Sequence, residues 1–267
     1  MSELVSAYRS GFPLGYTAVT HAAEDLTGIS FGILKLQAGA SHQVTTQAET
    51  AFLLMSGVVR LSAGGREERF RRQSLFDEGP SCLHVSAGTE IVIAAEEDSE
   101  LTTYETLNRR QFEPRFYQPA HVPTEHRGKG QVGDTCYRFV RTIFDRSNAD
   151  PHAELVLGEV ITMPGRWSSY PPHHHRQPEI YHYRFTEPQG YGHAELGEQV
   201  VKVRAYDTIK ILDENDHSQC SAPGYGMYYA WAIRHLDGDR YTKPEFTEEH
   251  RWTMKSGAKH WWPHGDE

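Results

Sequence analysis

Much of what this chain could be is ruled out by what it has little of. It carries three cysteines, Cys82, Cys136 and Cys220. They are isolated and far apart, which excludes a disulfide framework or a zinc knuckle and fits reduced thiols. No apolar run approaches the roughly 18 residues of a membrane-spanning helix. The opening residues, MSELVSAYRSGFPLGY, lack the basic start and apolar core of a signal peptide, so a cytoplasmic location is expected. Cationic charge is also scarce: 27 Lys and Arg stand against 36 Asp and Glu, a net charge of -9. That balance argues against a nucleic-acid backbone or an anionic membrane as partner, yet a small anionic substrate can still be met by local cations. Helical periodicity is missing from the first half of the chain, leaving strands to do the folding.

Strand signals are plentiful. GISFGILKLQAG alternates apolar with small or polar residues up to Gly39, and TAFLLMSGVVRLSAGG reads as two strands with turns at Gly57 and at Gly64-Gly65. SLFDEGPSCLHVSAGTEIVIAAEEDSELTTYE continues the rhythm through an acidic turn at Glu96 to Asp98. Residues 111–135 break it with prolines, glycines and charges, as a connector would. A second strand-rich block follows, from YRFVRTIFD through LVLGEVITM to GMYYAWAIRHL. Two β-blocks with the same order of features give an all-β expectation of a duplicated antiparallel barrel: residues 1–110, a linker 111–135, and residues 136–267. The aromatic tail, FTEEHRWTMKSGAKHWWPHGDE, is expected to pack across a barrel or a subunit interface.

Sixteen histidines are many for 267 residues, and His173, His174, His175, His182 and His193 crowd one segment. If His173 begins a strand after Pro171-Pro172, His173 and His175 face one side and His174 the other. After the turn at Arg176 to Pro178, alternation sets Glu179, Tyr181 and Tyr183 on one face against Ile180, His182 and Arg184. Two imidazoles and a carboxylate on one hairpin suit a divalent ion left with open positions. A further ligand must come from another hairpin, and His217, at the start of a strand after an acidic turn, is the candidate. The first block offers His42 and Glu49 without a His-x-His, so it is read as a barrel with no metal site.

WSSYPPHHH...PEIYHYRF, the spacing from His217 to APGYGMYY, and the first-half pieces ETAFLLMSGVV and RRQSLFDEGPSCLHVSAGTEI together resemble the 5-deoxyglucuronate isomerase family of bacterial inositol catabolism. That family is a bicupin, sister to the 4-deoxy-5-ketouronate isomerases of pectin breakdown. The resemblance implies two jelly-roll barrels in tandem and a divalent metal (zinc, manganese, iron or nickel) on His173, His175, Glu179 and His217, with His174 as an alternative to either neighbour. It also implies a small anionic sugar-acid substrate; a homo-oligomer with no nucleic-acid or membrane partner is expected. Aldose–ketose isomerisation needs a group that moves a proton between adjacent carbons. Tyr181, Tyr183 and Tyr229 are the candidates, with Tyr228 and Glu179 behind them, although alternating tyrosines are also ordinary barrel core. Arg166 is the nearest candidate to hold the substrate carboxylate, with Arg184 and Arg234 also close in sequence. Two other readings share the ligand set: an Fe(II) cupin dioxygenase and a non-catalytic sugar-binding cupin.

Overall fold

The computed structural model describes residues 4–212 and 214–263. Strands dominate, and the helical segments among the described residues are the short 3-10 turns Pro119–His121, Val132–Asp134 and Glu248–Met254. None is long and apolar enough to cross a membrane.

In the first unit, the 15-residue strand Glu49–Ala63 serves two faces. Its first half pairs with Cys82–Val85 and Ser99–Thr106, and its second half with Arg66–Arg72 and Glu90–Ala95. The register slips between Leu54 and Ser56, and Gly57 follows at φ 96°. A Cβ on Gly57 would fall 2.3 Å from Ser99 Oγ, so only glycine permits this bend and close approach. The barrel so formed is filled by Leu34, Phe52, Leu61, Phe70, Ile93 and Leu101, all buried and apolar.

The second unit has two sheets. One runs in the order Leu4–Val5, Thr208–Ile211, Glu179–Phe185, Met227–Arg234, Leu155–Thr162, Arg138–Phe144, Glu125–Arg127. The other runs Gln199–Arg204, Tyr191–Leu196, His217–Ser221, Trp167–His174, Glu245–Phe246. The architecture is therefore two antiparallel, incompletely closed barrels in tandem, as the sequence pattern led us to expect. Segment 111–135 contributes to both units: Arg115–Tyr117 pairs with Cys82–Val85, whereas Glu125–Arg127 pairs with Arg138–Phe144. The start of the chain, Leu4–Val5, lies on the second unit's sheet.

Period-two alternation decides what each face of that sheet does. Ile180, Tyr228, Ala230 and Leu157 turn outward into a core shared with Phe31, Leu53 and Tyr104 of the first barrel. Tyr181, Tyr183, Tyr229 and Val160 turn inward. Buried charge spans the same junction. Glu159 meets Arg72 at 2.7 Å and Arg141 at 2.9 Å, and Tyr228 donates to it at 2.9 Å. Glu49, buried completely, accepts from His84 (2.8 Å), Asn108 (2.7 Å) and the backbone N–H groups of Glu154 (2.8 Å) and Leu155 (2.9 Å). That first-block carboxylate thus ties the two barrels together, with His84 rather than His42 beside it.

Candidate metal centre

The inward face of the second barrel carries the polar groups that the first barrel lacks. Strand Trp167–His174 pairs with His217–Ser221, placing His173 opposite His217. His175 follows just beyond the strand end, and Glu179 opens the strand on the facing sheet. His175, Glu179 and His217 are buried, and each brings one ligand atom within 4.8 Å of the others. His173 lies against this trio without joining it at that distance, its ring 4.5 Å from the ring of His217 and edge-on to it. His174 points away, with Nδ1 2.7 Å from Asp216. Alternation thus sorts the three consecutive histidines in the way the period of two requires.

Each inward imidazole is anchored through Nδ1 to a backbone carbonyl: His173 to Ser169 at 3.1 Å, His175 to Gln177 at 2.8 Å and His217 to Asn215 at 3.2 Å. A carbonyl can only accept, so Nδ1 carries the proton, and in the neutral ring Nε2 presents a lone pair. His175 Nε2 lies 3.1 Å and His217 Nε2 3.5 Å from the same oxygen, Oε2 of Glu179. His217 Nε2 is buried and has no hydrogen-bond partner. Acceptors facing one another at this range need a proton or a cation between them, and fixing the tautomer through the far nitrogen is how protein metal sites aim histidine. Burial, and then the neighbouring imidazoles, lower His173 and His217 to about 3, which keeps both rings neutral and free to ligate at ordinary pH. The donor set fits a divalent ion.

A cavity of about 90 Å³ opens beside the trio. Tyr181 and Tyr229 line it, stacked at 4.8 Å. The Tyr229 hydroxyl lies 3.0 Å from Ser169 Oγ and donates to Ser168 Oγ at 3.1 Å, which in turn accepts from Thr162 at 2.7 Å. Burial, opposed by these hydroxyl contacts, moves Tyr229 up to about 12, so it is a proton donor at neutral pH rather than a resting base. Tyr183 is not brought to the cavity: although it faces inward, its hydroxyl is spent on Gln219 at 2.7 Å within the core. Tyr228 faces the first barrel and Glu159.

Arg166 is not brought there either. It lies over the Tyr137 ring at 5.8 Å, away from the cavity. Arg184 turns toward the first barrel and pairs with Glu100, and Arg234 donates to Thr27 O at 3.3 Å. The cations on the cavity wall are Arg127 and Arg138. A sequence signal for Arg138 existed, because it shares its strand face with inward Val140. Trp231 also lines the cavity, admitted by Gly158 across the ladder, where a Cβ would fall 2.3 Å from the indole.

The mouth is crossed by the segment after the last barrel strand. Tyr241, Pro244 and Phe246 reach the cavity, and the Tyr241 ring is edge-on to His175 at 4.9 Å. Glu245–Phe246 pairs with His173 and His174, Thr247 N–H donates to Pro172 O at 2.9 Å, and Gln177 donates to Asp239 O at 2.9 Å. The tail from Phe246 was expected to pack across a barrel or a subunit interface, and its first residues do lie across this barrel; sequence reading missed that Tyr241 and Pro244 reach the cavity.

Residues 6–253 match the model of the KduI/IolB family. The 5-deoxy-glucuronate isomerase of Bacillus subtilis strain 168 is 27% identical over 203 residues, covering 73% of this chain and 72% of that protein. The crystal structure of an IolB-like protein from Salmonella typhimurium LT2 superposes with a TM-score of 0.81 at 23% identity, covering 91% of this chain and 96% of that one. A cupin 2 conserved barrel domain protein from Leptotrichia buccalis shares the fold at a TM-score of 0.52 and 11% identity, covering 86% and 95%. The chain belongs to the KduI/IolB family and is an isomerase built on the cupin fold.

Proposed function

We propose that the chain is a metal-dependent aldose–ketose isomerase that converts 5-deoxy-D-glucuronate to 5-dehydro-2-deoxy-D-gluconate in the breakdown of myo-inositol. The observation that carries this reading is the convergence of two imidazole lone pairs and one carboxylate oxygen on a single buried point, in a chain whose relative in B. subtilis bears the name of that isomerase. His175, Glu179 and His217 would hold the ion, and His173, anchored by Ser169, would add a fourth donor. Zinc, manganese, iron or nickel accept such a set. When bound, the ion supplies Lewis-acid polarisation of the sugar carbonyl.

The chain's own residues do the rest. The Nδ1 anchors fix the ligands before substrate arrives, which removes reorganisation from the reaction. Tyr229 holds its proton at Oη against the Ser168 and Ser169 hydroxyls, placed to donate to a substrate oxygen that gains negative charge. Val140, Val160 and Trp231 exclude water from that oxygen.

The test is turnover of 5-deoxy-D-glucuronate by purified protein carrying one metal ion per chain, with product followed by NMR. No ketone product at full metal occupancy would overturn the proposal, and oxygen uptake with Fe(II) would point instead to a cupin dioxygenase.

A further inference from the structure

Buried cations elsewhere in the second barrel and at the junction are matched by carboxylates. Arg72 and Arg141 share Glu159 at 2.7 and 2.9 Å, Lys210 meets Asp25 at 2.7 Å, and Arg184 meets Glu100. Arg138 departs from this pattern. It is buried, 8% exposed, and donates from Nη1 to Cys136 O at 2.9 Å. Among the described residues it forms no ion pair. A buried cation without a counter-charge is strongly unfavourable and persists where something compensates it.

The partner strand makes the imbalance larger. Arg127 sits directly across the ladder from Arg138, so two guanidiniums share one face, and like charges opposite one another in a sheet repel. Among the described residues Arg127 pairs with Glu125, at 2.9 Å, and both of those side chains are about half exposed, so the pair is solvent-screened. Arg127 and Arg138 both line the cavity that holds His173, His175 and Glu179. Glu179, the carboxylate in that cavity, is already engaged by the two imidazoles. The cavity therefore has a cluster of lone-pair donors in one part of its wall and, in another, the unpaired Arg138 beside the weakly screened Arg127.

We propose that Arg138, assisted by Arg127, is the anion-binding end of the site: it takes the carboxylate of a uronate substrate while the reacting carbonyl end lies at the histidine cluster. A guanidinium receives a carboxylate in two parallel hydrogen bonds, and the N–H groups not used on Cys136 remain for this. The inference rests on the isomerase reading for the substrate's identity, but the anion site itself follows from the unpaired charge. It replaces Arg166 as the specificity-determining cation.

The test compares D-glucuronate with its neutral isostere D-glucuronamide, by calorimetry on the metal-loaded full chain, in wild type, Arg138→Met and Arg138→Lys. Glucuronate affinity should fall roughly 10- to 100-fold in Arg138→Met, while glucuronamide stays within about threefold. Arg138→Lys should recover part of the loss, keeping the charge without the fork. KM for 5-deoxy-D-glucuronate should rise by the same factor, with kcat changing less. Equal losses for both probes, unchanged glucuronate binding, or wild type failing to prefer glucuronate would overturn the assignment. If Arg138→Met does not fold, Arg138→Lys decides: it must weaken glucuronate several-fold and spare the amide. Wild type that discriminates between the probes but turns over no 5-deoxy-D-glucuronate would remove the isomerase reading and leave the anion site standing.

Discussion

Replacing His217 with leucine should give results that depend in sign on metal and on pH. His217 is fully buried; its Nε2 has no partner, while its Nδ1 holds Asn215 O at 3.2 Å. Leucine removes a buried unsatisfied group, a gain of about 1–3 kcal/mol, and forfeits one long hydrogen bond, a loss of about 0.5–1.5 kcal/mol. In chelator near pH 8 the variant should therefore melt close to wild type, unlike most changes at a fully buried position. In metal at about 1,000 times Kd, wild type should gain about 4 kcal/mol, or roughly 8 °C at about 2 °C per kcal/mol for a chain of this size, and the variant should gain little. The pH arm follows from burial. The folded value of about 3 lies below the ordinary 6.5, so the unfolded chain takes up the proton first. The contribution is complete above about pH 6.5 and is lost as pH falls toward about 3, at roughly 1.4 kcal/mol per pH unit. At pH 5 wild type should have lost about 2 kcal/mol at this histidine, a loss the variant cannot suffer, so in chelator the variant should melt about 4 °C higher there. Differential scanning fluorimetry with and without chelator, together with metal analysis, measures all three arms. A variant that keeps one metal per chain, or that is as acid-sensitive as wild type, would refute the reasoning.

Tyr229→Phe should lower kcat by about 100-fold with metal content unchanged, because it removes a cavity proton donor. Tyr183→Phe should leave kcat near wild type and cost about 1–2 kcal/mol in denaturant unfolding, since its hydroxyl serves only Gln219; the reverse ranking in steady-state kinetics would undo both assignments. Glu49→Gln turns an amide donor toward the backbone N–H groups, His84 or Asn108, and should destabilise the joined barrels by about 3 kcal/mol or more. An unchanged urea midpoint would refute that. The strap carrying Tyr241 and Phe246 crosses the mouth of the cavity and is expected to move aside for access. By hydrogen exchange the Phe246 and Thr247 amides should be less protected than those of Met227–Arg234, and equal protection would count against the motion.

The sequence alone determined the all-β character, the duplicated barrel and the hairpin bearing the histidines, because these are periodic and local. Turn glycines punctuate strands, and a period of two sorts His173 and His175 from His174, and Glu179 from Ile180. Alternation also put Tyr181 and Tyr183 on the inward face and left Tyr228 and Tyr229 undecided. It could not separate Tyr183 from Tyr181, since facing inward does not say which partner a hydroxyl meets; that depended on Gln219, on a strand 36 positions away. Other decisions were purely tertiary. Glu49 became a clasp because residues 154 and 155 dock on it from the second barrel. The strap covers the mouth because Phe246 pairs beside His173. The strand face of Arg138 was legible in the chain, but its missing counter-charge emerged only against the other buried cations, Arg72, Arg141, Arg184 and Lys210, each paired with a carboxylate in three dimensions: charge compensation is a property of space, and sequence distance had pointed to Arg166. The cluster of His175, Glu179 and His217 lies between these cases. Its residue types were legible in the chain, but the approach of two lone pairs to one carboxylate oxygen was decided by the packing of two sheets.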